Sequence, residues 1–238
     1  MSVVRFAFFV IAPALLAQSP VKIDYTCTPE DIDGFGLSCS AEEPCAVFLE
    51  LTSAEAAGAK IFVAGNLHTE RTTLYSILLV SEDGGKSWTE PHKRLRASAL
   101  EEIQFIDYSN GWVSGQVIEP LPKDPFLLLT TDGGKTWRQK PMFEESRFGS
   151  VAQFWFESKT AGQLVIDHAS KHEVYQSNTG GENWELEQMT TQPVKLKGRR
   201  ENATWRLRPD GKLFHLEQRG STNWEPFANF TIHVADCK

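Results

Sequence analysis

Thr130–Trp137 reads Thr-Thr-Asp-Gly-Gly-Lys-Thr-Trp and follows the apolar run Pro125-Phe-Leu-Leu-Leu129. Ser81–Trp88 (Ser-Glu-Asp-Gly-Gly-Lys-Ser-Trp) nearly repeats it after Ile77–Val80, and Ser177–Trp184 (Ser-Asn-Thr-Gly-Gly-Glu-Asn-Trp) is a third copy. A worn fourth copy ends at Trp224, in Arg219-Gly-Ser-Thr-Asn-Trp. Successive tryptophans lie 49, 47 and 40 residues apart, and a period of this length means a stacked or radial repeat.

An apolar strand, then Asp-Gly-Gly, then a Trp that resumes an extended run, describes a β-hairpin. The Asp carboxylate accepts backbone N–H bonds in the turn, and the glycines supply the positive φ it needs. A lone hairpin cannot shelter a Trp, so the ring is expected to wedge between neighbouring sheets. The box is read as structural, with its Asp used by the turn and not by catalysis.

This pattern, Ser/Thr-x-Asp-x-Gly-x-Ser/Thr-Trp, resembles the Asp-box, or BNR repeat, of sialidase-like, sortilin-type and photosystem II assembly factor β-propellers. Ser81, Asp83, Gly85, Ser87 and Trp88 match it fully, as do Thr130, Asp132, Gly134, Thr136 and Trp137. The third copy keeps Ser177, Gly181 and Trp184 but departs at Thr179 and Asn183. Ile103-Gln-Phe-Ile-Asp-Tyr-Ser-Asn-Gly-Trp-Val-Ser-Gly115 is similar to a phrase of the photosystem II assembly factor propellers. The expected fold is therefore all-β: a small propeller of four four-stranded blades, with five as the alternative. For that family the resemblance implies a scaffold that binds other proteins during assembly.

Met1–Ala17, with Arg5 before an apolar stretch, reads as a signal peptide too short to span a membrane stably as a helix. Residues 18–45 form a cysteine-containing segment, and 46–238 the propeller domain. A secreted or periplasmic monomer with no membrane span is expected. No Cys follows the expected cleavage site, so no lipid anchor is indicated. The net charge of −7 argues against a nucleic-acid or anionic-membrane binder. Four cysteines in an exported chain read as disulfides, for which three pairings exist. Cys39–Cys45 closing a small loop and Cys27–Cys237 tying the chain ends is the preferred one, because a propeller must join its termini.

The unit from Cys45 onward is four strands with the box after the third. The first runs Ala46–Leu51, Ile61–Gly65, Tyr75–Val80 and then from Trp88; the fourth runs Val194–Leu196, Thr204–Leu207, Lys212–Leu216 and then from Trp224. Thr231–Ala235 or Val21–Tyr25 supplies a strand to close the ring. Boxes then mark one face of the disc, and the long connections gather on the other, where a protein or peptide partner is expected.

An alternative is sialidase-like glycoside hydrolysis or carbohydrate binding. It requires cations for a substrate carboxylate, a Tyr nucleophile with a carboxylate, and an acid/base Asp near the hub. The Arg-Ile-Pro phrase of that class is absent, and the first strands of the first three units contain no Arg. Tyr75 and Tyr175 fall on third strands, away from the hub. His168 and His172 sit in a strand connection, where their spacing does not align the rings for a metal, and no catalytic residue, cofactor or metal is expected. One basic stretch, with Arg199 and Arg200 ahead of Trp205, stands out as a binding-surface candidate on the acidic background.

Overall fold

The computed structural model describes residues 19–168, 170–196, 204–235 and 237. Residues 1–17, Arg199 and Arg200 lie outside the described residues. Four sheets follow one another along the chain, antiparallel throughout except for β1, an arrangement consistent with a β-propeller. Sheet 1 holds β2 (Phe48–Ala57), β3 (Lys60–His68) and β4 (Thr73–Ser81). Sheet 2 holds β5 (Ser98–Phe105), β6 (Gly111–Ile118), β7 (Pro122–Thr130) and β8 (Arg138–Pro141). Sheet 3 holds β9 (Ser150–Phe156), β10 (Gly162–Asp167), β11 (His172–Ser177) and β12 (Glu185–Thr190). In sheet 4, β13 (Trp205–Asp210), β14 (Leu213–Arg219) and β15 (Trp224–Ala235) are joined by β1 (Val21–Thr26), parallel to β15 from Val21↔Phe230 to Thr26↔Ala235. A short helix, α1 (Pro29–Phe35), leads from β1 towards sheet 1.

Neighbouring sheets bury their facing side chains against each other. Leu49, Leu51, Ile77, Leu216 and Phe230 join sheets 4 and 1; Phe62, Leu78, Leu100, Val113 and Trp137 join sheets 1 and 2; Trp112, Leu127, Phe154, Phe156 and Leu164 join sheets 2 and 3. Middle strands covered on both sides lose the apolar/polar alternation of a one-sided sheet. β4 accordingly is buried along nearly its whole length. Among the described residues no buried cluster joins sheet 3 to sheet 4; Val165 and Val174 of sheet 3 pack on Leu196 and Val194 instead.

Side-chain amides stitch the inner edges, where strand N–H and C=O groups would otherwise lack partners. Asn66 accepts from Leu100 N (2.8 Å) and donates to Leu100 O (3.3 Å). Gln104 accepts from Phe156 N and donates to Phe156 O, both at 2.8 Å. Gln153 does the same for Leu196 N (3.3 Å) and Val194 O (2.7 Å). Val194–Leu196 thus meets an amide as β5 and β9 do, but it is not a strand of sheet 4.

Two details depart from four-stranded units. Sheet 1 has three strands: after Trp88 the chain makes only the isolated bridges Val80↔Thr89 and Tyr75↔Arg96. Pro91, which has no N–H to give a ladder, interrupts that segment. In sheet 4 the outermost strand is β1, so both segments proposed to close the ring are used together.

Each box folds as one turn. Asp132 Oδ1 accepts from Thr130 Oγ1 (2.8 Å) and Thr136 N (3.0 Å), while Oδ2 accepts from Thr136 Oγ1 (2.6 Å). Asp83 repeats this with Ser81 and Ser87. Those donors hold both carboxyls at a pKa of about 2, led by the Thr136 and Ser87 hydroxyls. Gly134 and Gly181 need their positive φ and also admit neighbours: a Cβ on Gly134 would meet Phe62 at 2.3 Å. Gly133 N donates to Ser109 O and Gly180 N to Thr160 O, so boxes share a face with the turns between first and second strands.

Candidate functional site

The opposite face carries α1, the Cys39–Cys45 loop, the β3–β4, β6–β7 and β10–β11 turns, and the connections between sheets. The described residues contain two disulfides there, Cys27–Cys237 and Cys39–Cys45. Cys45 N donates to Cys237 O, which brings the chain end to the start of β2.

Asp31 is the buried polar centre of this region, at 2% exposure. It enters α1 through a capping box, in which Thr28 Oγ1 accepts from Asp31 N (3.1 Å) and Asp31 Oδ2 from Thr28 N (3.4 Å). Tyr25 of β1 donates to Oδ2 (3.0 Å); Tyr75 of β4 (2.5 Å) and Arg96 (2.8 Å) donate to Oδ1. Arg96 also lies flat over Phe35, 3.8 Å from its centroid. Burial opposes the carboxylate, but the bonds from Tyr75, Tyr25, Thr28 and Arg96 outweigh it and hold its pKa below the ordinary value. Burial and then Asp31 itself push the Tyr25 hydroxyl up.

This network predicts a pH-dependent contribution. Asp31→Ala leaves buried tyrosine hydroxyls without an acceptor, and should cost about 2–3 kcal/mol near pH 7. Because the folded pKa is depressed, the stabilisation is complete well above the ordinary value of 3.8 and is lost as pH falls through it towards the folded pKa. Urea titrations at pH 7 and pH 3 should show the difference between native and variant chains shrinking in acid. A difference independent of pH would show that Asp31 acts by shape alone.

A second network sits across the face. Glu173 of β11 accepts from Tyr175 (2.6 Å) and from Arg147 Nη2 (3.3 Å), and Arg147 Nη1 donates to the Tyr175 hydroxyl (3.2 Å). His168 Nε2 lies 3.2 Å from the same carboxylate, off the hydrogen-bond direction. Burial works against the Glu173 charge, and the bond from Tyr175 with the proximity of His168 and Arg147 turns the balance, lowering its pKa. Burial first, then Glu173, pushes Tyr175 up to about 12. Arg147 stacks 4.4 Å from the centroid of Phe143. His172 pairs instead with Asp167 (3.8 Å), so the two histidines do not converge. No group of three or more metal-ligating side chains occurs among the described residues.

Beside the first network, which it meets at Phe35, a groove of about 560 Å³ is lined by Phe35, Leu37, Cys45, Glu70, Arg71 and Thr72. Trp205, proposed with Arg199 and Arg200 as a surface, is buried at 6% exposure against Phe227. Its neighbours Arg206 and Arg208 are engaged by Glu217. Neither tyrosine–carboxylate–arginine network was read from the sequence. Most of their members are far apart in the chain (Asp31 and Arg96 are 65 residues apart); the local features are the Thr28–Asp31 cap and the Glu173–Tyr175 pair on β11.

Residues 71–233 match the family described as photosynthesis system II assembly factor YCF48. The chain belongs to that family. A photosystem II assembly lipoprotein Ycf48 from Synechococcus sp. (strain CC9902) is 28% identical over 109 residues, which are 44% of this chain and 29% of the relative. Among solved structures, YCF48 bound to a D1 peptide is 18% identical with a TM-score of 0.44, covering 79% of this chain and 59% of that one. YCF48 from Cyanidioschyzon merolae gives 18%, 0.43, 78% and 58% for the same measures. The matches therefore span under two thirds of each relative's length. No helix among the described residues is long and apolar enough to cross a membrane.

Proposed function

We propose that this chain is an exported, non-catalytic β-propeller of four blades that binds a protein or peptide through the face opposite the boxes, as an assembly scaffold. The observation that carries the reading is the division of labour between faces in a member of the YCF48 family. Box turns consume their own polar groups, whereas the other face combines a groove, exposed apolar side chains and braced connections. Export rests on residues 1–17, and the mature chain, 18–45 followed by the propeller of 46–238, is taken as a secreted or periplasmic monomer.

Sialidase-like hydrolysis or carbohydrate binding is disfavoured by the inner strands and by the tyrosines. Burial and Glu50 raise the pKa of Glu101 on β5, and burial and Glu102 raise that of Glu55 on β2. These inner strands, β2, β5 and β9, contain no arginine or lysine, so they offer no cation for a substrate carboxylate. Tyr75 and Tyr175 each meet a carboxylate, as that class needs, but they sit on β4 and β11, the third strands of their units, and not on the inner strands β2, β5 and β9. A fluorogenic sialoside should give no turnover.

The decisive experiment places a photo-crosslinker at Arg71, on the groove, or at Lys135, on a box, and mixes each purified chain with an envelope fraction from the source cells. Crosslinks to a discrete protein are expected from position 71 and not from position 135. The reverse pattern would overturn the reading.

A further inference from the structure

We propose that Leu121 and Phe148 form one docking tip, with a carboxylate rim, for a partner segment that is both apolar and basic. The proposal rests on the protein-binding reading above and names the chemistry of its partner. Leu121 is 60% exposed and Phe148 65% exposed, and Leu121 stands two residues before Lys123, the residue paired with Phe148. Lys123 and Phe148 form an antiparallel bridge, and Gly149 N donates to Pro122 O (2.9 Å). The two strands of this corner are braced further by Asp124 N on Arg147 O (2.8 Å) and Arg147 N on Asp124 Oδ1 (2.9 Å). Pro120 and Pro122 restrict the backbone on either side of Leu121. Two large apolar side chains on so restrained a frame lose little further backbone freedom on binding, which favours an interface anchor.

Charge selects the partner. Glu119, Glu144 and Glu145 are the exposed carboxylates of this corner, against Lys123 and Arg147; Asp124 accepts from Arg147 N, and the buried Glu173 is occupied by Tyr175, Arg147 and the nearby His168. Lys123 lies 3.6 Å from Glu119, and Arg147 is held by Glu173 and Tyr175. The cations are thus engaged within the corner and the excess is acidic. An anionic lipid surface is repelled by such a rim, whereas a segment offering leucine or aromatic side chains between lysines or arginines complements it.

The test pans a display library of random peptides against the full mature chain and measures selected peptides against variants by fluorescence anisotropy. Sequences enriched in Lys or Arg with Leu or aromatic residues are expected. They should bind L121S/F148S about ten-fold or more weakly. Glu144→Lys/Glu145→Lys should weaken them too, and high salt should erase the rim's contribution. Both pairs of positions are solvent-facing, so unfolding midpoints should not move; if L121S/F148S shifts the midpoint, the charge-reversed chain carries the test. Peptides that are acidic or purely apolar, equal binding to all chains, or no enrichment overturn the proposal. So does cosedimentation of the native chain, but not of L121S/F148S, with phosphatidylglycerol vesicles. Peptides sensitive to Arg71→Glu but not to L121S/F148S reject this tip while keeping the face, and peptides sensitive only to Lys135→Glu reject the face as well.

Discussion

Replacing Cys27 and Cys237 together by serine lowers the unfolding free energy by about 5 kcal/mol in the chain-entropy account. The bond spans a sequence separation of 210 residues, so its loss frees almost the whole chain in the unfolded state. Both cysteines are buried at 5% exposure, and the β1–β15 ladder beside them holds the two chain ends together. The comparison chain, Cys39→Ser/Cys45→Ser, opens a bond with a separation of 6 and should lose only about 2 kcal/mol. Urea unfolding of oxidised native protein and the two variants measures both. Equal losses would mean that native-state strain or residual unfolded structure, not loop closure, sets the contribution.

The ladder sharpens this expectation. β1 is the outermost strand of sheet 4 and leads directly into α1, whose Asp31 is bonded to Tyr25 of β1, Tyr75 of β4 and Arg96. The disulfide, the parallel strand and the carboxylate therefore act on one junction between the chain ends and sheet 1. Their energies should not add, since each helps hold the geometry that the others need.

The family and the all-β class were legible because the box is a local device. Gly84-Gly85 and Gly133-Gly134 answer to turn sterics, and Trp88 and Trp137 to the period, within eight residues each. Strand count was less legible. Trp88 invites a fourth strand, yet Pro91 and the short bridges at Thr89 and Arg96 prevent a ladder. The site was least legible for a physical reason. Asn66, Gln104 and Gln153 look like ordinary polar strand residues until the neighbouring inner strand presents its bare edge. Leu121 and Phe148 follow no strand periodicity, and only the pairing of two connections brings them together.

The same locality argument sets the second large effect. Trp137→Ala should cost about 3–5 kcal/mol, the range for removing a buried Trp from a core. Its ring is 8% exposed, meets Phe62 and Phe105 edge-on at 5.9 and 5.8 Å, and donates Nε1–H to Gly134 O at 3.1 Å. It belongs to the box of sheet 2 but fills space against Phe62 of sheet 1, so its loss opens a cavity between sheets. Trp224 starts β15 in the worn copy, is half-buried, and lies beneath Arg206 and Arg219 at 4.8 and 5.3 Å. Trp224→Ala removes cation–π contacts at a partly solvated site and should cost about 1 kcal/mol. Urea unfolding of the two variants separates an inter-sheet wedge from a hairpin staple. If they lose equal stability, the tryptophan of the box acts within its own turn, and the burial of Phe62 against it carries no special weight. If Trp137→Ala alone collapses the midpoint, the repeat persists because each turn delivers a ring to the sheet before it.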